Sequence, residues 1–275
     1  MNPTAPPAVR QVAELQAPPT WHTADFISDL HLHASEPATF AAWQRYMQDT
    51  TADAVFVLGD LFEAWVGDDV IATDSSGLPA AGGGFEKACA DVLRAAAEQR
   101  PVYFMHGNRD FLVGQGLMDA VHATLLEDPT VLAFPPDSVL AGQRWLLSHG
   151  DALCLDDVDY QQFRLQVRSL AWQQAFLGKP LAERQQIARV LRAQSEARKQ
   201  SGADYADVDT AAARQWLAAA GAAGVIHGHT HRPAVHDLGG GQQRIVLSDW
   251  DLAATPPRAE VLRLSASGLQ RIALT

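Results

Sequence analysis

Residues 24–31 read ADFISDLH, and the way this apolar run breaks into Asp29-Leu30-His31 recurs along the chain. AVFVLGD follows at 54–60 and VYFMHGNRD at 102–110. Each segment is a short stretch of β-branched and aromatic residues that ends in Gly, Asp or Asn, as buried strands do. Helical patterns around Thr39–Gln48 and Phe85–Gln99 separate the strand patterns at Ala24–Ile27, Ala54–Leu58 and Val102–Met105. That alternation predicts α/β layering. Two more buried strands are expected at Arg144–Leu147 and Gly224–Ile226, ending in His149-Gly150-Asp151 and His227-Gly228-His229. Beyond them Pro233–Leu238, Arg244–Leu247, Glu260–Leu264 and Leu269–Ala273 are strand-like with turn residues between, which predicts an antiparallel sheet edge. Together these patterns give two β-layers with helices outside.

The chain has 275 residues, enough for one large domain or a core with a sizeable insertion. With 47% hydrophobic and 19% charged residues it is not a disordered chain. Its net charge of −11 argues against a nucleic-acid partner. Cys89 and Cys154 are the only cysteines and form no CxxC pair, so neither a disulfide scaffold nor a thiolate zinc site is expected, and a reducing cytoplasm is. No apolar run reaches the roughly 20 residues a membrane span needs. Residues 1–20, with prolines at 3, 6, 7, 18 and 19, read as a flexible tail outside the fold and lack the pattern of a signal peptide. A helical block occupies about 157–221. Within it, residues 160–200 carry eight basic and two acidic side chains, a local charge of +6. Tyr160, Phe163, Leu170, Trp172, Phe176 and Leu177 are interleaved there, the composition of a surface facing a ligand or a membrane.

The chemistry lies at the five strand ends, where sites of α/β sheets form. All five motifs offer oxygen or imidazole nitrogen, and none offers a thiolate. Asp29/His31 and His227/His229 are i, i+2 pairs, whose side chains share a face in extended backbone. The glycines at 59, 107, 150 and 228 allow the turning backbone to approach a ligand. This donor set suits Mn²⁺, Fe²⁺ or Zn²⁺. Seven candidate ligands (Asp29, His31, Asp60, Asn108, His149, His227 and His229) are too many for one ion. Two ions about 3.5–4 Å apart and bridged by Asp60 would use them, an arrangement suited to phosphate-ester hydrolysis.

In their order, DxH, GD, GNxD, HG and GHxH resemble the motifs of the calcineurin-like metallophosphoesterases, over about residues 21–250. The longer stretches FISDLHL, GDLFEAWVGDD, HGNRDFLVG, HGDALCLDDVDYQQFR and HGHTHRPAVH are similar to the branch that acts on a lipid-linked nucleotide sugar. The resemblance implies an α/β fold, a four-layer metallophosphoesterase β-sandwich flanked by helices, in a domain spanning 21–275 with a helical lid insertion at about 157–221. It implies one Mn²⁺ on Asp29, His31, Asp60 and His229, and a second on Asp60, Asn108, His149 and His227. Catalytic roles fall to Asn108, Arg109 and His227, and substrate contacts to Asn108, Arg109, Asp157, Tyr160, Ser195, Lys199 and His227. The implied reaction is attack of water on the α-phosphorus of UDP-2,3-diacylglucosamine, giving UMP and 2,3-diacylglucosamine 1-phosphate in lipid A biosynthesis. The implied location is peripheral, on the anionic cytoplasmic face of the bacterial inner membrane; no oligomer is implied. Arg109 stands where the wider superfamily has a His. Two rival readings are a phosphodiesterase of soluble nucleotides and a non-catalytic scaffold of the same fold.

Overall fold

A computed structural model describes residues 12–72, 84–200 and 206–275, with side chains throughout except at 195–200. The strands are β1 (Ala13–Gln16), β2 (Ala24–Ile27), β3 (Ala54–Leu58), β4 (Val102–Met105), β5 (Thr124–Leu126), β6 (Thr130–Ala133), β7 (Arg144–Leu147), β8 (Gly224–His227), β9 (Ala234–Gly239), β10 (Gln242–Val246), β11 (Glu260–Ser265) and β12 (Gly268–Ala273). The helices are α1 (Pro37–Asp49), α2 (Gly84–Ala97), α3 (Gln115–Val121), α4 (Val158–Val167), α5 (Leu170–Leu177), α6 (Leu181–Gln200) and α7 (Thr210–Ala220). The strands form two six-stranded sheets, ordered β1-β6-β7-β8-β10-β9 and β12-β11-β2-β3-β4-β5.

Alternation along the strands explains the layering. In β3, Phe56 and Leu58 point into the core between the sheets, while Val55 and Val57 point outward under the helices α1, α2 and α3. In β7 and β8, Leu147 and Ile226 enter the same inter-sheet core, and Leu146 and Val225 meet Trp216 and Leu217 of α7. Both faces of the central strands are covered, so their sequences are continuously apolar rather than alternating. Helices, sheet, sheet and helix make the expected four layers.

Three expectations are corrected by the structure. Residues 13–16 are not tail: β1 pairs in parallel with β6, and Ala17 N–H continues the ladder to Ala133 O at 2.8 Å. The prolines flank this proline-free AELQ segment, which leaves its N–H groups able to pair. The insertion ends before α7, because Ala212, Ala213, Trp216, Leu217 and Ala220 form one buried stripe on the outer face of a sheet. The inserted helices are therefore α4–α6. The four C-terminal strands do not share one edge: β9 and β10 extend one sheet and β11 and β12 the other.

Candidate metal centre

The C-terminal ends of β2, β3 and β4 in one sheet meet those of β7 and β8 in the other. The backbone turns sharply there. Asp29 (φ 55°), His31 (φ 49°), Asp60 (φ 53°), His229 (φ 68°) and His231 (φ 52°) all adopt the left-handed conformation. It costs a non-glycine residue about 1–2 kcal/mol, and persists where surroundings over-determine it, as at functional sites. Here Asp29 N–H bonds Gly59 O at 3.1 Å and His31 N–H bonds Asp60 O at 3.0 Å, binding one loop to the other. These left-handed turns, and not strand alternation, bring the i, i+2 pairs together. At Gly107 a Cβ would collide with the backbone and carboxylate of Asp60, so only glycine lets these loops touch.

The donors form two groups around Asp60. In the first, His231 Nε2 lies 3.3 Å from Asp29 Oδ1 and 3.2 Å from His31 Nε2. In the second, His149 Nε2 lies 3.0 Å and His229 Nδ1 2.9 Å from Asn108 Oδ1. Asp60 Oδ2 sits between them, 3.9 Å from His31 Nε2 and 3.8 Å from His149 Nε2, the bridging position. This arrangement fits divalent cations. With bonds of about 2.1 Å, neighbouring donors in a four- to six-coordinate shell lie about 3.0–3.4 Å apart. The contacts of His231 and of Asn108, at 2.9–3.3 Å, lie close to that spacing, with Asp60 slightly farther out. His149 donates Nδ1–H to Leu58 O at 2.9 Å, so in its neutral form the ring turns a lone pair toward the Asn108 oxygen. Two facing lone pairs call for a cation or a proton between them. The outer nitrogens are backed as metal-binding imidazoles are: His31 Nδ1 by Glu63 at 2.9 Å, and His231 Nδ1 by Asp249 at 3.7 Å.

The carboxylates set the charge states. Burial opposes ionisation of Asp29, but the imidazoles of His231, His149 and His31 outweigh it and hold the carboxyl well below the usual range. Burial likewise opposes the His149 cation, yet Asp60 and Asp29 lift its pKa to about 9. His229 goes the other way: burial, reinforced by the charge of His149, pushes it down to about 3 and keeps it neutral. Burial works to raise Glu63, but its bond to His31, with Arg109 and Arg192 nearby, brings it down to about 2.

The histidine triplet departs from expectation. The pair that enters the centre is His229 and His231, not His227 and His229. His227 ends β8 inside the sheet, donates Nδ1–H to Gly228 O at 2.8 Å, and has no hydrogen bond at Nε2. The geometry does not bring His227 into either donor group as expected: His229 stands in the position expected of it and His231 in the position expected of His229. The bond from His229 N–H to Asp29 Oδ2, at 2.9 Å, fixes this register. His231 was available in the sequence, since GHTH satisfies the i, i+2 spacing as well as HGH does. Glu63 and Asp249 could not be found that way, because their relation to the imidazoles is purely spatial.

The structure brings Asp29, His31, Asp60, Asn108, His149 and His229 together, and sets Arg109 beside them, with its backbone N–H on Asp60 Oδ1 at 2.8 Å. Asp157 caps α4, accepting from Tyr160 N–H at 3.3 Å. Tyr160 stacks its ring on His229 and donates its hydroxyl to Asp151 at 2.5 Å. Ser195 and Lys199 fall on α6, but their side chains lie outside the described residues.

Oxygen and imidazole donors in two groups, sharing one carboxylate at the mouth of a two-sheet sandwich, define a metal-dependent hydrolase acting on phosphorus esters or anhydrides. Residues 22–233 match the calcineurin-like phosphoesterase family, and the chain belongs to that family. It is 49% identical to the UDP-2,3-diacylglucosamine hydrolase of Chromobacterium violaceum over 82% of this chain and 89% of that one. It is 44% identical to the protein of the same name from Aromatoleum aromaticum, over 83% and 89% of the two chains. With that of Bordetella pertussis it shares 42% identity over 88% and 92%. Solved structures align more remotely: a dimetal phosphatase from Danio rerio is 13% identical with a TM-score of 0.44, over 92% of this chain and 99% of that one.

Proposed function

We propose that this chain hydrolyses the pyrophosphate bond of UDP-2,3-diacylglucosamine by attack of water on the α-phosphorus, giving UMP and 2,3-diacylglucosamine 1-phosphate in lipid A biosynthesis. The observation that carries the reading is the convergence of Asp29, His31, Asp60 and His231 in one group, and of Asp60, Asn108, His149 and His229 in the other. Two Mn²⁺ ions suit these donors; if bound there, they would lower the pKa of a water toward neutral and offset the charge of phosphate oxygens.

The remaining work belongs to the chain. Asp60 holds the two groups at a constant separation. Asn108 faces the space where charge grows on the phosphoryl oxygens, and Arg109 next to it clamps the diphosphate with its guanidinium fork. Arginine cannot act as an acid, since its pKa exceeds 12 in proteins. The departing sugar phosphate needs no acid: its second pKa is near 6, like other phosphomonoesters. A simple alkoxide would need one. Arg109 therefore favours an anhydride over an alkyl ester.

Helices α4–α6 act as the lid over the lipid, and the substrate contacts expected of Asp157, Tyr160, Ser195 and Lys199 all fall on this segment of the chain. Six of the eight large exposed apolar side chains among the described residues (Phe163, Leu165, Leu170, Leu177, Val190 and Leu191) lie on this insertion. That supports peripheral contact with an anionic membrane on the cytoplasmic face of the inner membrane. Among the described side chains, four of its cations are engaged with carboxylates outside the insertion's helices, Arg164 and Arg168 at Asp151, Arg184 at Asp69 and Arg192 at Glu63, which leaves a weaker electrostatic attraction than +6 implies. No helix among the described residues is long and apolar enough to cross a membrane.

Mass spectrometry of the products from UDP-2,3-diacylglucosamine in oxygen-18 water tests the reading. Label in UMP is expected. Label in the lipid phosphate would overturn α-attack, and turnover confined to soluble nucleotides would favour a phosphodiesterase instead.

A further inference from the structure

Arg168 reaches from the residue after α4 into the loop that carries Asn108. Its Nη2 donates to Gly107 O at 2.9 Å, and the same nitrogen lies 3.7 Å from Asp151 Oδ2. Its guanidinium carbon stands 5.9 Å from the centre of the Phe111 ring. Asp151 is fully buried and is met by three side chains at four-residue intervals: Tyr160, Arg164 and Arg168. This spacing is the stripe of one helical face. Asp151 is thus the socket into which the start of the insertion docks, and Arg168 is the part of that dock that also touches the Asn108 loop.

That loop is otherwise held from within the core. Asp110 accepts Gly107 N–H at 2.7 Å and Leu61 N–H at 2.8 Å, and Asp60 accepts Arg109 N–H at 2.8 Å. These bonds fix the peptides on either side of the Gly107–Asn108 unit. The carbonyl of Gly107, which sets the tilt of that unit, is fixed by Arg168. We propose that Arg168 is a positioning residue: by holding the Gly107 carbonyl while anchored on Asp151, it sets the Asn108 amide at the second metal position and ties that geometry to the docked insertion. The inference rests on the reading that Asn108 is a metal ligand, and extends it to a residue that touches neither metal nor substrate. A lysine cannot reproduce it, because a single ammonium cannot serve the carbonyl and the carboxylate while also standing over the Phe111 ring.

Titration of the metal-stripped full-length chain with Mn²⁺, followed by electron paramagnetic resonance, tests the proposal without reference to any substrate. In Arg168→Met the second ion is expected to bind about tenfold or more weakly, the usual cost of losing a group that orients a ligand. Affinity for the first ion, on the side of His31 and His231, stays within twofold. With UDP-2,3-diacylglucosamine, kcat falls by a similar factor and KM stays within threefold. Arg168→Lys keeps a cation beside Asp151; it retains the parent's melting temperature and still binds the second ion several-fold more weakly. Parent-like affinity for both ions in either variant overturns the proposal. So does equal loss at both sites with a lowered melting temperature, the signature of a merely structural contact. A parent protein that ignores UDP-2,3-diacylglucosamine would sink the proposed substrate, while the Mn²⁺ titration would still decide the role of Arg168.

Discussion

Replacing His231 by alanine, in parallel with His227→Leu, separates the two possible registers of the histidine triplet. His231 supplies one of four donors on the first side, its Nε2 3.3 Å from Asp29 Oδ1 and 3.2 Å from His31 Nε2. Losing a group that merely orients a ligand costs about 10–100-fold in affinity, so deleting the ligand itself costs at least that, about 1.4–2.8 kcal/mol. His231→Ala should therefore weaken the first Mn²⁺ at least tenfold and lower kcat, while the second ion, held by Asn108, His149 and His229 with Asp60, changes by less than threefold. His227 contributes a buried ring with no hydrogen bond at Nε2. Leucine of similar volume removes the bond to Gly228 O, which still accepts Thr230 N–H at 2.8 Å, so the net cost is about that of one hydrogen bond, roughly 0.5–1.5 kcal/mol. Its metal content should match the parent's. Calorimetric titration of metal-stripped protein with Mn²⁺, checked by metal analysis, reads both variants. Loss of an ion in His227→Leu with full occupancy in His231→Ala would refute the assignment.

Asp60→Ala should lose both ions and activity, because its Oδ2 faces both groups; activity within tenfold of the parent would end the two-metal reading. Arg109→Lys should lose most of the rate, and the parent should cleave an unactivated alkyl phosphodiester far more slowly than the anhydride; comparable rates would sink the argument for Arg109. Arg263→Ala strands the fully buried Asp25, which it grips at 2.7 and 2.8 Å, and should cost about 3–5 kcal/mol in urea denaturation. Asp207, held by Arg244 at 2.7 Å, has its pKa lowered to about 2. A depressed carboxyl stabilises the fold above its unfolded pKa of about 3.9. The melting-temperature advantage of the parent over Arg244→Met should therefore hold at pH 5 and shrink as pH falls below 4; an unchanged gap at pH 3 would count against the pair. Sedimentation with anionic vesicles at low salt, released at high salt, is expected of the lid face.

Much of this molecule could be read along the chain. The runs at Ala24–Ile27, Ala54–Leu58, Val102–Met105 and Arg144–Leu147 coincide with β2, β3, β4 and β7, and the chemistry-bearing motifs follow their ends. Burial on both faces makes such strands continuously apolar, and glycine marks where backbones touch, as at Gly107. Both signals are local, carried by a residue and its nearest neighbours. The short strands β1, β5 and β6 were not legible, because three or four residues completed by pairing with a distant segment leave little periodicity of their own.

What tertiary structure alone decided is which side chains face one another. His227, His229 and His231 are equivalent by spacing, and periodicity cannot choose between two i, i+2 pairs. The choice came from left-handed turns at His229 and His231, imposed by a bond from His229 to Asp29, two hundred residues away in the chain. Glu63 behind His31, Asp249 behind His231 and Arg168 on Gly107 follow the same logic. Donor types and the turns that expose them are local chemistry, and the sequence holds them. Register, bridging and support are relations between chain segments, and they exist only once the two sheets have closed on each other.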